Sequence, residues 1–169
     1  LIRWHALPFT THSELMSPAV FRAGLSYSQE LDRRFGKQTI ASKMTDVPGH
    51  TIGIVPLLAE AGVKFLHLGV NSASPPPDVP DVFRWRAPDG AEVVVLYQKS
   101  YGETSFPEGF DEGLGFAHTN DNMGPQSVPQ TADAWRDLQG HNPGTEIVAS
   151  TLDTYGAILW ARRIPDGRP

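Results

Sequence analysis

The chain has 169 residues with 16 Gly and 15 Pro, a loop-rich composition, yet 40% hydrophobic residues is enough for one globular core. A net charge of −5, from 14 Lys and Arg against 19 Asp and Glu, offers no cationic surplus for nucleic acid or an anionic membrane. No cysteine is present, which excludes disulfides, thiolate metal sites and thiol catalysis.

Trp4-His5-Ala6-Leu7-Pro8-Phe9-Thr10-Thr11-His12-Ser13-Glu14 is loop-like and holds two His and a Glu, which reads as a pocket wall. Ser17-Pro18 is an N-cap with Pro behind it, and Phe21, Leu25, Leu31 and Phe35 predict a helix closed by Gly36. Thr39 to Met44 is expected to be a strand. The polar segment Thr45 to His50 follows, then Thr51 as cap of a helix to Ala61 with Gly62 behind it and Pro56 kinking it. Lys64 to Val70 has the density of a buried strand. Thr51 to Val70 is the most apolar stretch, but Glu60, Lys64 and His67 break it, so it is no membrane span.

Ser74 to Pro80 is an extended loop. Phe83 to Tyr97 then forms a hairpin around Pro88-Asp89-Gly90. Leu114 to His118 reads as a short strand, Thr131 to Gln139 as a helix, Glu146 to Ala149 as a strand and Thr151 to about Arg163 as a helix. This alternation implies a mostly parallel sheet covered by helices, either a closed β/α barrel or an open doubly wound sheet. No dinucleotide or P-loop fingerprint occurs. The chain starts with Leu and stops without a structural ending, so it reads as the central part, residues 1–169, of one longer catalytic domain with both ends truncated.

In parallel β/α architectures, sites form where strands run into the following loops. The polar residues at those ends are Asp46 and His50, Asn71, Gln98 and Tyr101, then His118, Asp121 and Asn122. Any one of them is as readily a turn former, but several ends agree. Asp46 is the sharpest candidate for nucleophile or metal ligand, with an Asx turn or helix cap as its plain alternative. Asp121 is the candidate second carboxylate of an acid/base pair. His50 reads more readily as a helix-start His than as a ligand. His118 reads equally as core or site, His67 as a core histidine with bonded nitrogens, and His141 as a surface residue. No two of the six His are four apart, which excludes H-E-x-x-H zincins.

Ala41-Ser42-Lys43-Met44-Thr45-Asp46-Val47-Pro48-Gly49-His50, followed by Ile54 to Phe65, resembles the segment of glycoside hydrolase family 38 α-mannosidases in which Asp-x-Phe-Gly-His precedes a Leu-Pro-x-x-Leu helix. Phe83-Arg84-Trp85 with Asp89-Gly90 resembles an aromatic hairpin of that family, and Asp121-Asn122-Met123-Gly124-Pro125 its Gly-Asp-Gly-Gly-Gly-Pro loop. From about Trp4 to Leu152 the chain is closer still to an uncharacterised branch related to those enzymes, which carries Trp-His-Ala-Leu-Pro-Phe-Thr-Thr-His and Thr-Asp-Val-Pro-Gly-His.

The resemblance implies an incomplete parallel β/α barrel of the glycoside hydrolase/deacetylase type. Asp46 then matches a nucleophile that also binds Zn²⁺, and Asp121 the general acid/base. His5, His12, His50, Asn71, Trp85, Tyr97, His118 and Asn122 are candidate sugar contacts. Pro48 stands where the family has Phe, and Asp121 lacks the leading Gly. The family's His-x-Asp ligand pair and its last His ligand have no counterpart, so the remaining zinc ligands are expected outside this chain, which by itself is expected to be inactive.

The expected function is a retaining, metal-dependent glycoside hydrolase, whose two carboxylates need to stand roughly 5 to 5.5 Å apart. The alternatives are a metal-dependent carbohydrate deacetylase, which wants adjacent carboxylates and an H-x-x-x-H pair that are missing, or an inactive glycan-binding barrel. A carbohydrate is the expected partner, with no nucleic acid and no membrane span.

Overall fold

The computed structural model describes residues 2–119 and 123–167. Its centre is a four-stranded mixed sheet in the order β1-β2-β4-β3, formed by β1 (Ala41–Met44), β2 (Phe65–Gly69), β3 (Val82–Arg86) and β4 (Glu92–Gln98). β1, β2 and β4 are parallel, with Lys43 opposite His67 and His67 opposite Leu96. β3 lies antiparallel on the outer side of β4, because the Pro88-Asp89-Gly90 turn reverses the chain between them.

Four α-helices accompany the sheet: α1 (Pro18–Phe35), α2 (Ile54–Glu60), α3 (Val128–His141) and α4 (Leu152–Trp160). α1 has the expected boundaries, with Ser17 Oγ accepting from Val20 N and Gly36 ending it in the left-handed conformation. It buries Phe21 and Leu25 against the sheet together with Val55, Leu58, Leu66, Val93 and Val95. Each such side chain contributes about 1.5 to 3 kcal/mol of transfer free energy. The opposite sheet face carries Ala41, Phe65, Val94 and Leu96 and is covered by Tyr155 and Leu159 of α4. Asp153 ties α4 to the sheet, since its Oδ1 accepts from Ile40 N at 2.8 Å and Ala41 N at 2.9 Å.

The incomplete β/α barrel expected above is not what the chain forms. The sheet is open, its edge strand runs the other way, and neither Leu114 to His118 nor Glu146 to Ala149 joins it. Leu114 makes only an isolated bridge with Ser105, while Glu146 to Ala149 is irregular. Barrel closure needs a consistent strand number and stagger, and four strands with one antiparallel do not supply it.

Several helix boundaries also differ from expectation; α4, for one, ends at Trp160 rather than about Arg163. α2 begins at Ile54 rather than at Thr51, whose Oγ1 instead accepts from Gly53 N. α3 begins earlier than expected because Ser127 and Gln130 form a capping box that spans Pro129. α3 buries no residue, although Ala134 and Leu138 are half-buried. No helix among the described residues is long and apolar enough to cross a membrane.

Candidate functional site

β1 delivers the chain to Thr45 and Asp46 at the carboxyl end of the parallel strands. Asp46 has φ 80°, the one positive φ of a non-glycine residue among those described. Aspartate tolerates this left-handed region better than most residues, but the conformation still costs energy and persists only where neighbours hold it. They do so here. The Asp46 carbonyl accepts from Asn71 Nδ2 at 2.8 Å and from Asn71 N at 3.3 Å. Asn71 Oδ1 is itself held by Ala73 N and Ser74 Oγ. Thr45 N donates to Thr10 Oγ1 at 3.0 Å, and Tyr97 Oη donates to Pro48 O at 2.7 Å.

The carboxylate of Asp46 is exposed, and Tyr101 Oη donates to its Oδ1 at 2.9 Å. Tyr101 reaches it because the loop after β4 crosses directly over Gly69. A Cβ on that residue would sit 2.3 Å from Ser100 O and 3.2 Å from Tyr101 Cα. Only glycine permits this approach.

Lys43 lies on the α4-side face of the sheet, where its Nζ donates to Tyr101 O at 2.6 Å and lies 4.9 Å from the Phe116 ring centroid. Burial pushes its ammonium down to about 8. His67, fully buried beside it, contacts Phe116 with ring centroids 4.6 Å apart, and burial with the nearby Lys43 charge pushes its imidazole down to about 3. Gln98 Nε2 donates to Glu103 O and Ser105 Oγ, each at 3.0 Å, which turns Oε1 toward His67 Nε2 at 2.7 Å. His67 therefore carries its proton on Nε2, and its Nδ1 lone pair has no partner among the described residues. The expectation of a core histidine holds for burial but for only one of its two nitrogens.

The other candidate residues divide between this site and elsewhere. Asn71 and Tyr97 shape the Asp46 loop through its backbone. His50 Nδ1 is 3.1 Å from Ser13 Oγ, which also accepts from Thr51 N, so the serine donates to the imidazole and fastens the 3₁₀ turn Ser13–Leu15 to the loop. Burial pushes His50 down to about 4, and its Nε2 is enclosed without a partner. No hydrogen bond joins His50 to Asp46. His5 is half-buried and held low by burial and by Lys43, while exposed His12 stands 3.5 Å from Glu14.

His118 Nε2 donates to Gly102 O at 2.8 Å, on the loop that carries Tyr101. Trp85 pairs with Val93 near the amino end of β4, the opposite end of the sheet from Asp46, and packs against the α1 and α2 core. It is not placed for the sugar contact expected of it. His141 is exposed, as expected. Asp121 and Asn122 lie outside the described residues. Sequence reasoning passed over Lys43 and Phe116; the signal for Lys43 was a lone charge inside an otherwise uncharged strand.

Among the described residues no three His, Asp or Glu side chains converge; the Asp46 carboxylate accepts from the Tyr101 phenol, while the Asn71 amide contacts only its backbone carbonyl. What the arrangement offers is a solvent-facing carboxylate, oriented by a phenol, on a strained and pinned strand end, with an ammonium on the same loop's carbonyl. No family model matches the sequence, and no curated protein matches it.

Proposed function

We propose that this chain carries the nucleophile of a retaining glycoside hydrolase and that Asp46 is that nucleophile. The observation that carries the reading is the Asp46 backbone at φ 80°, held by Asn71 while Tyr101 orients an exposed carboxylate. Strain maintained by specific partners at a strand end is characteristic of functional positions. The resemblance of Thr45 to His50 to the family 38 segment supports the same residue.

In the proposed reaction, the oxygen of Asp46 left open by Tyr101 attacks the anomeric carbon and forms a glycosyl ester as the bond to the leaving oxygen breaks. That oxygen takes a proton from a general acid, for which Asp121 is the candidate. Water, deprotonated by the same group, then attacks the anomeric carbon and releases Asp46 as a carboxylate. The Tyr101 bond orients the nucleophile in the free protein and weakens as negative charge leaves the carboxylate.

A panel of aryl glycosides, with aryl α-mannoside first, tests the reading. Asp46→Asn is expected to lower turnover by roughly 10³-fold or more. A 2-deoxy-2-fluoro glycosyl fluoride is expected to add one glycosyl mass to the peptide containing Asp46. Equal turnover by the wild type and the Asn variant, or labelling at another residue, would overturn the assignment.

A further inference from the structure

Among the described residues Lys43 has no counter-ion. Its ammonium donates to one backbone carbonyl and faces one aromatic ring, and among the described residues no carboxylate stands within ion-pair distance of it. The titratable groups that respond to its charge are His5 and His67; burial and then Lys43 push both toward the neutral form, against the opposing charge of Asp153 on His5. A desolvated, uncompensated ammonium costs folding energy, and an anion would offset that cost. Its residue is half-buried rather than sealed in the core.

Beside it, the Nδ1 lone pair of His67, a residue with no exposed surface, is an acceptor without a donor. Glu103, Ser105 and Gln98 fix the tautomer that leaves it so. One ring, that of Phe116, covers both groups. The same backbone links this pair to the nucleophile, because Tyr101 takes the Lys43 ammonium on its carbonyl and gives its hydroxyl to Asp46.

We propose that Lys43 and His67 form an acid-recognising subsite of the Asp46 site, which takes a uronate-type sugar with its carboxylate on Lys43 and a neighbouring hydroxyl donating to His67 Nδ1. The inference rests on the glycosidase reading for its choice of a sugar. A carboxylate is favoured over phosphate because a single ammonium balances one charge, and no second Lys or Arg among the described residues acts on it. Phe116 is the group the ligand displaces.

The test uses the full chain with ¹³C-labelled lysine and titrates in glucuronate, with glucuronamide as the uncharged twin. Glucuronate is expected to bind at least ten-fold tighter than glucuronamide, to shift the Lys43 Cε signal and to raise its titration midpoint above the value near 8. Lys43→Met is expected to bind both sugars equally and weakly. No preference for the acid in the wild type, or a preference that survives in Lys43→Met, would overturn the proposal. Displacement of glucuronate by equimolar inorganic phosphate would show a generic anion contact and overturn it too.

The wild-type lysine signal decides the matter even if the variant fails to fold. Turnover that depends on Asp46 without acid preference defeats this inference alone. Selective glucuronate binding together with turnover unaffected by Asp46→Asn, or with labelling at another residue, defeats the hydrolase reading and leaves the subsite.

Discussion

Acidification to pH 5 should unlock the sheet end through His67. The imidazole is fully buried, makes one hydrogen bond and is held near 3, against an ordinary 6.5 in the unfolded chain. The unfolded state therefore binds a proton below pH 6.5 that the folded state refuses. The stability contribution is complete above 6.5 and is lost as pH falls toward 3. One group with these values costs about 2 kcal/mol at pH 5 relative to pH 8, and the loss grows by about 1.4 kcal/mol per further pH unit. His50, held near 4 by burial, adds a loss of the same sign and about the same size at pH 5.

Urea unfolding at pH 8, 7, 6 and 5 should therefore show a fall of about 4 kcal/mol for the wild type. His67→Gln keeps an N–H for Gln98 Oε1 but cannot titrate, and should lose only about half as much. If the two profiles ran parallel from pH 8 to 5, the imidazole would not be held neutral by its surroundings, and the account of the buried Lys43 and His67 pair would fail with it.

Two further substitutions probe the Asp46 loop. Gly69→Ala drives a methyl group to 2.3 Å from Ser100 O, so the loop after β4 must lift; a loss of about 1 to 3 kcal/mol is expected in urea unfolding, with Tyr101 released from Asp46. An unchanged midpoint would show that the loop does not cross there. Asp46→Ala and Asp46→Gly remove the same carboxylate but differ in tolerance of φ 80°, so the Gly variant should be the more stable by about 1 kcal/mol. The reverse order, normal for right-handed backbone, would refute the strained geometry.

Local structure was legible where neighbouring residues decide it. Ser17-Pro18 and Gly36 bound α1 because cap and stop act within one turn of the helix, and Pro88-Asp89-Gly90 sets the hairpin because turn geometry belongs to those residues. Asp46 was also legible as a candidate, as a carboxylate at the end of a strand in a Pro-Gly loop. What its neighbours do to it was not. The clamp comes from Asn71 and Tyr101, 25 and 55 residues away, and depends on a chain crossing over Gly69.

Strand formation marks the same boundary. Leu114 to His118 and Glu146 to Ala149 have strand-like composition, but a strand needs an edge to pair with, and the edge next to β4 is taken by β3. That pairing turned the expected barrel segment into an open mixed sheet. Lys43 shows the limit most directly: its place in β1 was readable, while its environment was not. The parallel register that sets it opposite His67 and the loop that lays Phe116 over both are decided by tertiary structure, because desolvation depends on which distant groups replace water.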